Sequence, residues 1–147
     1  MPIKFYPKEY NHLTKDELYE ILRLRSEVFV VEQNCVYQDI DDKDQIAMHI
    51  LGYVGIELVA YARIFKPGDY VKKASIGRVL VREKHRQNVY GFRLMETSIM
   101  AINMHFRAFK IEISAQEHLK KFYNRLGFIQ IGDNYLEDGI PHIKMIK

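Results

Sequence analysis

The stretch ASIGRVLVREKHRQNVYGFRL, residues 74–94, decides the fold. Residues 74–81 are predicted to form a strand, a short basic run occupies residues 82–86, and an apolar stripe at helical spacing follows through Leu94, Met95, Ile99 and Ile102. A loop that enters a helix N-terminus presents unpaired backbone N–H groups and the positive end of the helix dipole. The stretch therefore predicts a strand, a loop that can hold phosphate oxygens, and a helix.

The side chains of this loop add mobile positive charge at the same point. Four cations flank the start of the helix: Arg82, Lys84, Arg86 and Arg93. The loop lacks the glycines and the Lys-Ser/Thr pair of a P-loop, and it also lacks the glycines of a dinucleotide fingerprint. These departures argue against ATP and NAD. A solvated basic connection without a ligand stays open as the alternative.

An antiparallel meander precedes this stretch. Residues 49–54 and 58–65 alternate as two strands, and the turn Lys66-Pro67-Gly68-Asp69 leads into the strand at residues 74–81. Residues 3–6 are predicted to form a short first strand. The first part of the chain therefore contributes four strands to a sheet.

An amphipathic helix separates the first strand from the meander. Thr14 and Glu17 form a capping box, and the apolar stripe behind them consists of Leu18, Ile21, Leu22, Val28 and Phe29. Position 25 belongs to the same stripe but is Arg25. An arginine on an apolar stripe either extends its guanidinium to water or finds an anion.

Residues 32–47 are rich in acids and amides and lack clear periodicity, which predicts a long loop. Its acids include Asp39, Asp41, Asp42 and Asp44. An EF-hand needs a Gly after the third ligand and a Glu that closes the loop, and this segment has neither, so no metal is expected. We expect a solvated acidic loop that approaches a cationic substrate.

The remainder of the chain continues the alternation of strands and helices. Residues 109–114 are predicted to form a strand, and residues 116–126 a helix that Gly127 closes. Residues 128–131 and 140–146 complete the sheet, with a turn at Asp138-Gly139. The predicted fold class is α/β (mixed α+β), with a central mixed, mostly antiparallel sheet of about six or seven strands and helices on both faces, in one domain over residues 1–147.

Composition excludes several classes of protein. The 147 residues are 48% hydrophobic and 28% charged with a net charge of +3, which fits one globular domain and does not by itself indicate nucleic acid or membrane as a partner. No apolar run approaches the roughly 20 residues of a membrane span. The single Cys35 excludes an internal disulfide and suits a reducing compartment, so we expect a cytoplasmic protein. A nucleic-acid-binding domain would use the basic run and the 10 tyrosines, but the acidic loop opposes it.

Tyr123 is a candidate acid in the run KFYNRLGF, residues 121–128. A tyrosine hydroxyl is neutral near pH 7, because its ordinary pKa is about 10, and it can therefore donate a proton. The alternative is an aromatic side chain of the core.

Together these features resemble the GNAT superfamily of acetyl-CoA-dependent N-acetyltransferases. The resemblance rests on the order of elements, on residues 81–94 and on the run at residues 122–128. Further stretches are similar to the ElaA-like branch: VFVVEQ at residues 28–33, the acidic loop that ends near His49, IGRV at residues 76–79 and EDGIPH at residues 137–142. The resemblance covers nearly the whole chain and implies the GNAT fold.

The resemblance implies acetyl-CoA as the cosubstrate, with no metal. The pyrophosphate loop of the family falls on Arg86, Gln87, Asn88, Val89, Tyr90 and Gly91, and continues into the helix with Phe92 and Arg93. Val89 stands where the family has its first glycine, which a negative φ would tolerate, since the loop binds through backbone N–H groups. Leu80 and Val81 match the strand residues whose backbone pairs with the pantetheine arm.

The implied mechanism is direct transfer of the acetyl group to a primary amine of a small molecule or peptide. The backbone at Val81 polarises the thioester carbonyl, and Tyr123 protonates the CoA thiolate. Many relatives carry a basic glutamate on the strand at residues 74–81, whereas this strand offers none; the candidate bases are Glu32, Glu112 and His142.

The acceptor side and the assembly stay open at this point. Arg25, Gln33 and Arg78 are candidate acceptor-binding residues, and the arginines would suggest an acceptor with a carboxylate unless they pair with the acidic loop. A homodimer is left open because relatives are often dimers. The alternative function is a CoA-binding module with a regulatory or binding role and little transferase activity.

Overall fold

The computed structural model describes residues 2–147. Seven strands form one sheet in the order β1-β2-β3-β4-β5-β7-β6. They are β1 (Ile3–Glu9), β2 (Met48–Val54), β3 (Glu57–Phe65), β4 (Ala74–Val81), β5 (Ile111–Gln116), β6 (Ile129–Glu137) and β7 (Ile140–Ile146). β4 and β5 run parallel, and every other neighbouring pair runs antiparallel. The predicted mixed, mostly antiparallel sheet is therefore confirmed.

Within residues 2–147, three α-helices accompany the sheet: α1 (Lys15–Arg25), α2 (Tyr90–Ala101) and α3 (Lys120–Asn124). The predicted capping box starts α1, since the Thr14 side chain accepts from the Glu17 N–H and the Glu17 side chain accepts from the Thr14 N–H. π-Helical turns extend α1 over Ser26–Glu32 and α2 over Ile102–Phe106. No helix among residues 2–147 is long and apolar enough to cross a membrane.

Two apolar clusters cover opposite faces of the sheet. Adjacent residues of a strand point to opposite faces, and Ile50 and Leu51 on β2 accordingly belong to different clusters. The Leu51 cluster includes Leu24 from α1, whereas the Ile50 cluster includes Leu94 from α2. Helices therefore lie on both faces, as predicted.

The structure corrects several predicted boundaries. The strand predicted at residues 109–114 is β5 over Ile111–Gln116, because its pairing with β4 begins at Ile111 and its pairing with β7 continues to Gln116. The helix predicted at residues 116–126 consists of a 3₁₀ turn over Glu117–Leu119 followed by the short α3. The strand predicted at residues 128–131 continues to Glu137, because pairing with β7 resumes beyond an irregularity after Ile131.

Candidate functional site

A gap between β4 and β5 forms the centre of the site. The two strands pair only at Ala74 with Ile111 and at Ser75 with Glu112, and they diverge toward their carboxyl ends. From Ile76 to Val81 the edge of β4 that faces β5 is unpaired, and these residues line a pocket of about 1060 Å³ together with residues of β5, α2, α3 and the β6–β7 turn. An exposed strand edge of this kind can pair with an extended ligand, as a further strand would.

A bulge in β4 shapes this edge. Arg63 of β3 lies opposite Gly77 and Tyr61 lies opposite Leu80, so β4 has one more residue than β3 between these pairs. Arg78 within the bulge has a φ of 50°. The bulge interrupts the regular pairing where β4 enters the gap, and it directs the Arg78 side chain toward the acidic loop.

The N-terminus of α2 opens onto the same pocket. Val89 precedes the helix with a φ of −80°, and no side chain among residues 2–147 caps this end. A negative φ is accessible to valine, so the residue that stands in place of the family's glycine does not strain the loop. The first turn of α2 keeps N–H groups that point out of the helix, together with the positive end of its dipole.

An ion pair crosses the mouth of the pocket between Arg86 and Glu32. Two guanidinium nitrogens of Arg86 donate to the two carboxylate oxygens of Glu32, at 2.5 and 2.9 Å. Nε of Arg86 also donates to the carbonyl oxygen of Val81 at 2.8 Å. Arg86 therefore binds at once to the segment after α1 and to the end of β4.

Tyr123 lies at the inner end of the pocket on α3. Its side chain contacts the rings of Phe122 and Phe128 edge-on, and only 6% of the residue is exposed. Gly127, with a φ of 93°, lets the N–H of Phe128 reach the carbonyl of Tyr123 at 3.1 Å, which closes the helix as predicted. Burial raises the pKa of Tyr123 to about 12, so its hydroxyl is a proton donor at neutral pH.

His142 on β7 faces the pocket beside β5 and β6. Only 7% of the residue is exposed, and its Nδ1 lies 2.7 Å from the carbonyl oxygen of Ile140. A carbonyl can only accept, so Nδ1 carries the proton and Nε2 of the neutral ring carries the lone pair. Nε2 lies 3.4 Å from a carboxylate oxygen of Glu137.

The acidic loop is held by internal arginines, which corrects the expectation of a solvated loop facing a cationic substrate. Asp39 and Asp44 are buried, and each accepts hydrogen bonds from two arginines. The arginines come from α1, β3 and β4: Arg25, Arg63 and Arg78. Three aspartates, Asp39, Asp41 and Asp44, therefore offset three guanidinium charges.

Titration behaviour follows from this network. Burial opposes ionisation of Asp41, but the hydrogen bonds and charge of Arg63 outweigh it and lower the pKa of Asp41 to about 2. The same balance, with Arg25 as the main cation, lowers the pKa of Asp44. Burial lowers the pKa of His49, which accepts from the Tyr61 hydroxyl and donates to the Asp44 carbonyl.

Arg25 does not face the pocket, which corrects its assignment as an acceptor-binding residue. It is fully buried, with Nε 2.9 Å from Asp39 and Nη1 2.7 Å from Asp44. Arg78 does line the pocket, but its guanidinium also binds Asp39, at 2.7 Å. Both arginines form ion pairs with aspartates of the protein. They therefore give no reason to expect a carboxylate on the acceptor substrate.

Most of the other candidate residues meet at the pocket. The lining includes Glu32, Gln33, Leu80, Val81, Arg86, Asn88, Val89, Gly91, Phe92, Tyr123 and His142. Four of these candidates do not line it: Gln87, Tyr90, Arg93 and the candidate base Glu112. The Tyr90 ring lies near the ring of His85, and the Arg93 guanidinium lies over the ring of Phe5, so both side chains face other parts of the protein.

Two lining residues, Ser114 and Glu137, were missed by the sequence reasoning. The Asp138-Gly139 turn carried the signal for Glu137, because a two-residue turn fixes which positions of β6 and β7 lie opposite each other. Tyr135 pairs with His142 and Glu137 with Ile140, so Glu137 and His142 share one face. Among residues 2–147, no group of three or more His, Cys, Asp and Glu side chains is arranged to hold a metal ion.

Comparisons with known proteins agree with this architecture. The family model described as an acetyltransferase (GNAT) domain matches residues 10–147. Protein ElaA of Escherichia coli is 44% identical over 147 residues, which cover 99% of this chain and 96% of ElaA. A UPF0039 protein of Schizosaccharomyces pombe is 39% identical over 145 residues, which cover 97% of this chain and 95% of that protein.

Solved structures show the same similarity. The crystal structure of E. coli ElaA superposes with a TM-score of 0.93 at 42% identity and 99% coverage of both chains. An acyl-CoA N-acyltransferase from Pseudomonas aeruginosa superposes with a TM-score of 0.94 at 37% identity, also with 99% coverage of both chains.

Proposed function

Because the chain belongs to the GNAT family of acetyltransferases, and is therefore an acyltransferase by fold and family, we propose that it transfers the acetyl group of acetyl-CoA directly to a primary amine. The observation that carries this proposal is the continuous pocket from the N-terminus of α2, along the open edge of β4, to Tyr123 and His142. We also propose that residues 1–147 form one acetyltransferase domain. The single cysteine, which is free, suits a cytoplasmic location.

The first part of the pocket suits the CoA portion of the donor. The N–H groups of the first turn of α2 and the Arg86 guanidinium would hold the pyrophosphate. The pantetheine arm would pair with the open edge of β4 at Leu80 and Val81. Phe92 and Phe122 supply apolar surface beside this path, with their rings edge-on at 6.5 Å.

The inner part of the pocket suits the chemistry of direct transfer. We assign the base to His142, because its Nε2 carries a lone pair, whereas the Glu32 carboxylate is bound to Arg86. The amine nitrogen attacks the thioester carbon, and the Val81 backbone polarises the carbonyl oxygen. Tyr123, which is protonated at neutral pH, then donates its proton to the departing CoA thiolate.

The test measures binding and turnover separately. Calorimetry with acetyl-CoA and with CoA should detect binding at high micromolar concentration, and the absence of heat would refute the first step. Tyr123→Phe should lower turnover by about 10²-fold or more, a typical contribution of general acid catalysis, with little change in the Kd of CoA. CoA binding without acetyl transfer to a broad panel of amines would instead favour a CoA-binding module.

A further inference from the structure

We call the part of the pocket beside His142, which would receive the amine, the acceptor end. Two atoms there lie close to each other, and each can accept a hydrogen bond. One is Nε2 of His142, whose lone pair is free because Nδ1–H is bound to the Ile140 carbonyl at 2.7 Å. The other is a carboxylate oxygen of Glu137, 3.4 Å away. Neither atom can donate to the other while the imidazole is neutral. Both therefore remain able to accept from one ligand placed between them.

Glu137 is held in this position by a chain of hydroxyl groups. Ser114 Oγ on β5 donates to the second carboxylate oxygen of Glu137 at 3.2 Å. The hydroxyl groups of Ser114 and Tyr135 are also hydrogen-bonded to each other, and Ser114 has only one proton to donate, so Tyr135 donates to Ser114. The Tyr135 ring stacks on the imidazole of His142, with centroids 6.2 Å apart. The carboxylate and the imidazole are thus positioned by the same three strands.

The surrounding charges leave this end of the pocket negative. Of the guanidinium groups on the lining, that of Arg78 is offset by Asp39 and Asp41, and that of Arg125 lies over the ring of Phe122. The charges of Glu32 and Arg86, which also line the pocket, offset each other. Glu137 is bound to no arginine or lysine among residues 2–147, and Asp138 lies beside it on the lining. While the His142 imidazole is neutral, a cation at this end would therefore be attracted to a carboxylate that is paired with no arginine or lysine among residues 2–147.

We propose that Glu137 is an acceptor-binding residue that holds the ammonium form of the amine next to His142, with Ser114 as its positioning residue. This rests on the proposed function of the pocket. Two N–H groups of the ammonium donate to Glu137 and to Nε2 of His142, and the proton on the second bond passes to the imidazole. The neutral amine forms the C–N bond, the C–S bond breaks, the thiolate receives the Tyr123 proton, and the amine's second proton restores the tyrosine. Imidazolium then releases its proton to water.

The test compares two acceptors of nearly equal shape, benzylamine and phenylhydrazine. At neutral pH benzylamine is an ammonium ion, whereas phenylhydrazine is largely neutral and presents no charge to Glu137. Glu137→Gln should lower kcat/KM for benzylamine by at least about tenfold, mainly through KM, because a charge-assisted hydrogen bond is lost. The loss for phenylhydrazine should stay within about threefold, because its neutral N–H groups form no ion pair with Glu137 and can donate to the glutamine oxygen as well.

Asp133→Asn is the control, since it removes one carboxylate from the same strand, β6, at an exposed position that does not line the pocket. It should change kcat/KM for benzylamine by less than about threefold. Equal losses for the two acceptors in Glu137→Gln, or equal losses in the two variants, would overturn the proposal.

The inference can fail independently of the proposed function. If the wild-type protein binds CoA but acetylates neither acceptor, benzylammonium is titrated into the CoA complex, and its Kd should be at least about tenfold weaker in Glu137→Gln. Unchanged binding, or no binding to the wild-type complex, would refute the ammonium site. Acetylation with an unchanged Glu137→Gln profile would refute it too, while the acetyltransferase function would stand.

Discussion

Replacing Glu32 with glutamine should tighten the binding of CoA, although Glu32 itself lines the pocket. The Arg86 guanidinium is bound to both oxygens of Glu32 and to the carbonyl of Val81. If Arg86 binds the pyrophosphate as proposed, CoA has to separate this ion pair first. Glu32→Gln removes the charge that competes with the pyrophosphate and leaves a side chain of the same shape.

The magnitude follows from the exposure of the pair. The side chains of Arg86 and Glu32 are 40% and 28% exposed, so solvent screens much of their attraction. A solvent-exposed pair contributes about 0.2–1 kcal/mol, and the two-point geometry places this one toward the upper end. Release of Arg86 should therefore lower the Kd of CoA by about two- to fivefold. The gain should shrink at high salt, because salt weakens the pair that is removed.

The assay is calorimetric titration of CoA into the wild type and two variants. Glu27→Gln is the matched control: it removes the same charge from the same π-helical segment, but Glu27 pairs with Arg82, which does not line the pocket. A general effect of lowering the negative charge near a polyanion would appear equally in both variants. If Glu32→Gln binds CoA no more tightly than Glu27→Gln, the competition between Glu32 and the pyrophosphate for Arg86 is refuted.

Two further predictions concern the stability of the folded state. Asp44→Asn should lower the free energy of unfolding by about 3–5 kcal/mol, because two buried guanidinium groups lose a shared carboxylate. Urea denaturation measures this change. As a control, Asp133→Asn at an exposed position should lower the free energy of unfolding by less than about 0.5 kcal/mol. Acidification should lower the free energy of unfolding in two separate ranges of pH. Below about pH 6.5 the unfolded chain binds a proton at His49 more readily than the folded protein does, so the free energy of unfolding falls. The pKa of Asp41 is lowered to about 2 in the folded protein, so the free energy of unfolding falls again between about pH 4 and 2. Urea titrations across pH test both ranges, and His49→Gln should remove the first; an unchanged slope between pH 7 and 5 in that variant would contradict the assignment to His49.

The acidic loop illustrates how a charge pattern can mislead when it is read along the chain. Four aspartates within six residues suggest an exposed anionic surface. Their partners lie on α1, β3 and β4, and the resulting ion pairs anchor the loop as a fixed wall of the pocket. The negative charge that faces the acceptor end comes instead from Glu137, the last residue of β6.

The fold itself was largely predictable from local patterns. Alternation marked the strands of the meander, the Thr14–Glu17 capping box marked the start of α1, and the Asp138-Gly139 turn marked the last hairpin. The predicted strand boundaries were wrong where the residue pattern of a segment disagrees with its pairing to a neighbouring strand. β6 continues to Glu137 because β7 lies beside it, although residues 133–137 are exposed and carry no apolar alternation.

The sequence by itself determined the strand, loop and helix at residues 74–94, because a helix N-terminus acquires its unpaired N–H groups and its dipole from the backbone alone. Only the tertiary structure decided which charges meet. Arg86 binds Glu32, which lies 54 positions earlier in the chain, and Arg25 binds Asp44, which lies 19 positions later. Coulombic attraction depends on distance in space and on burial, and neither quantity exists until the sheet brings the helices and loops together.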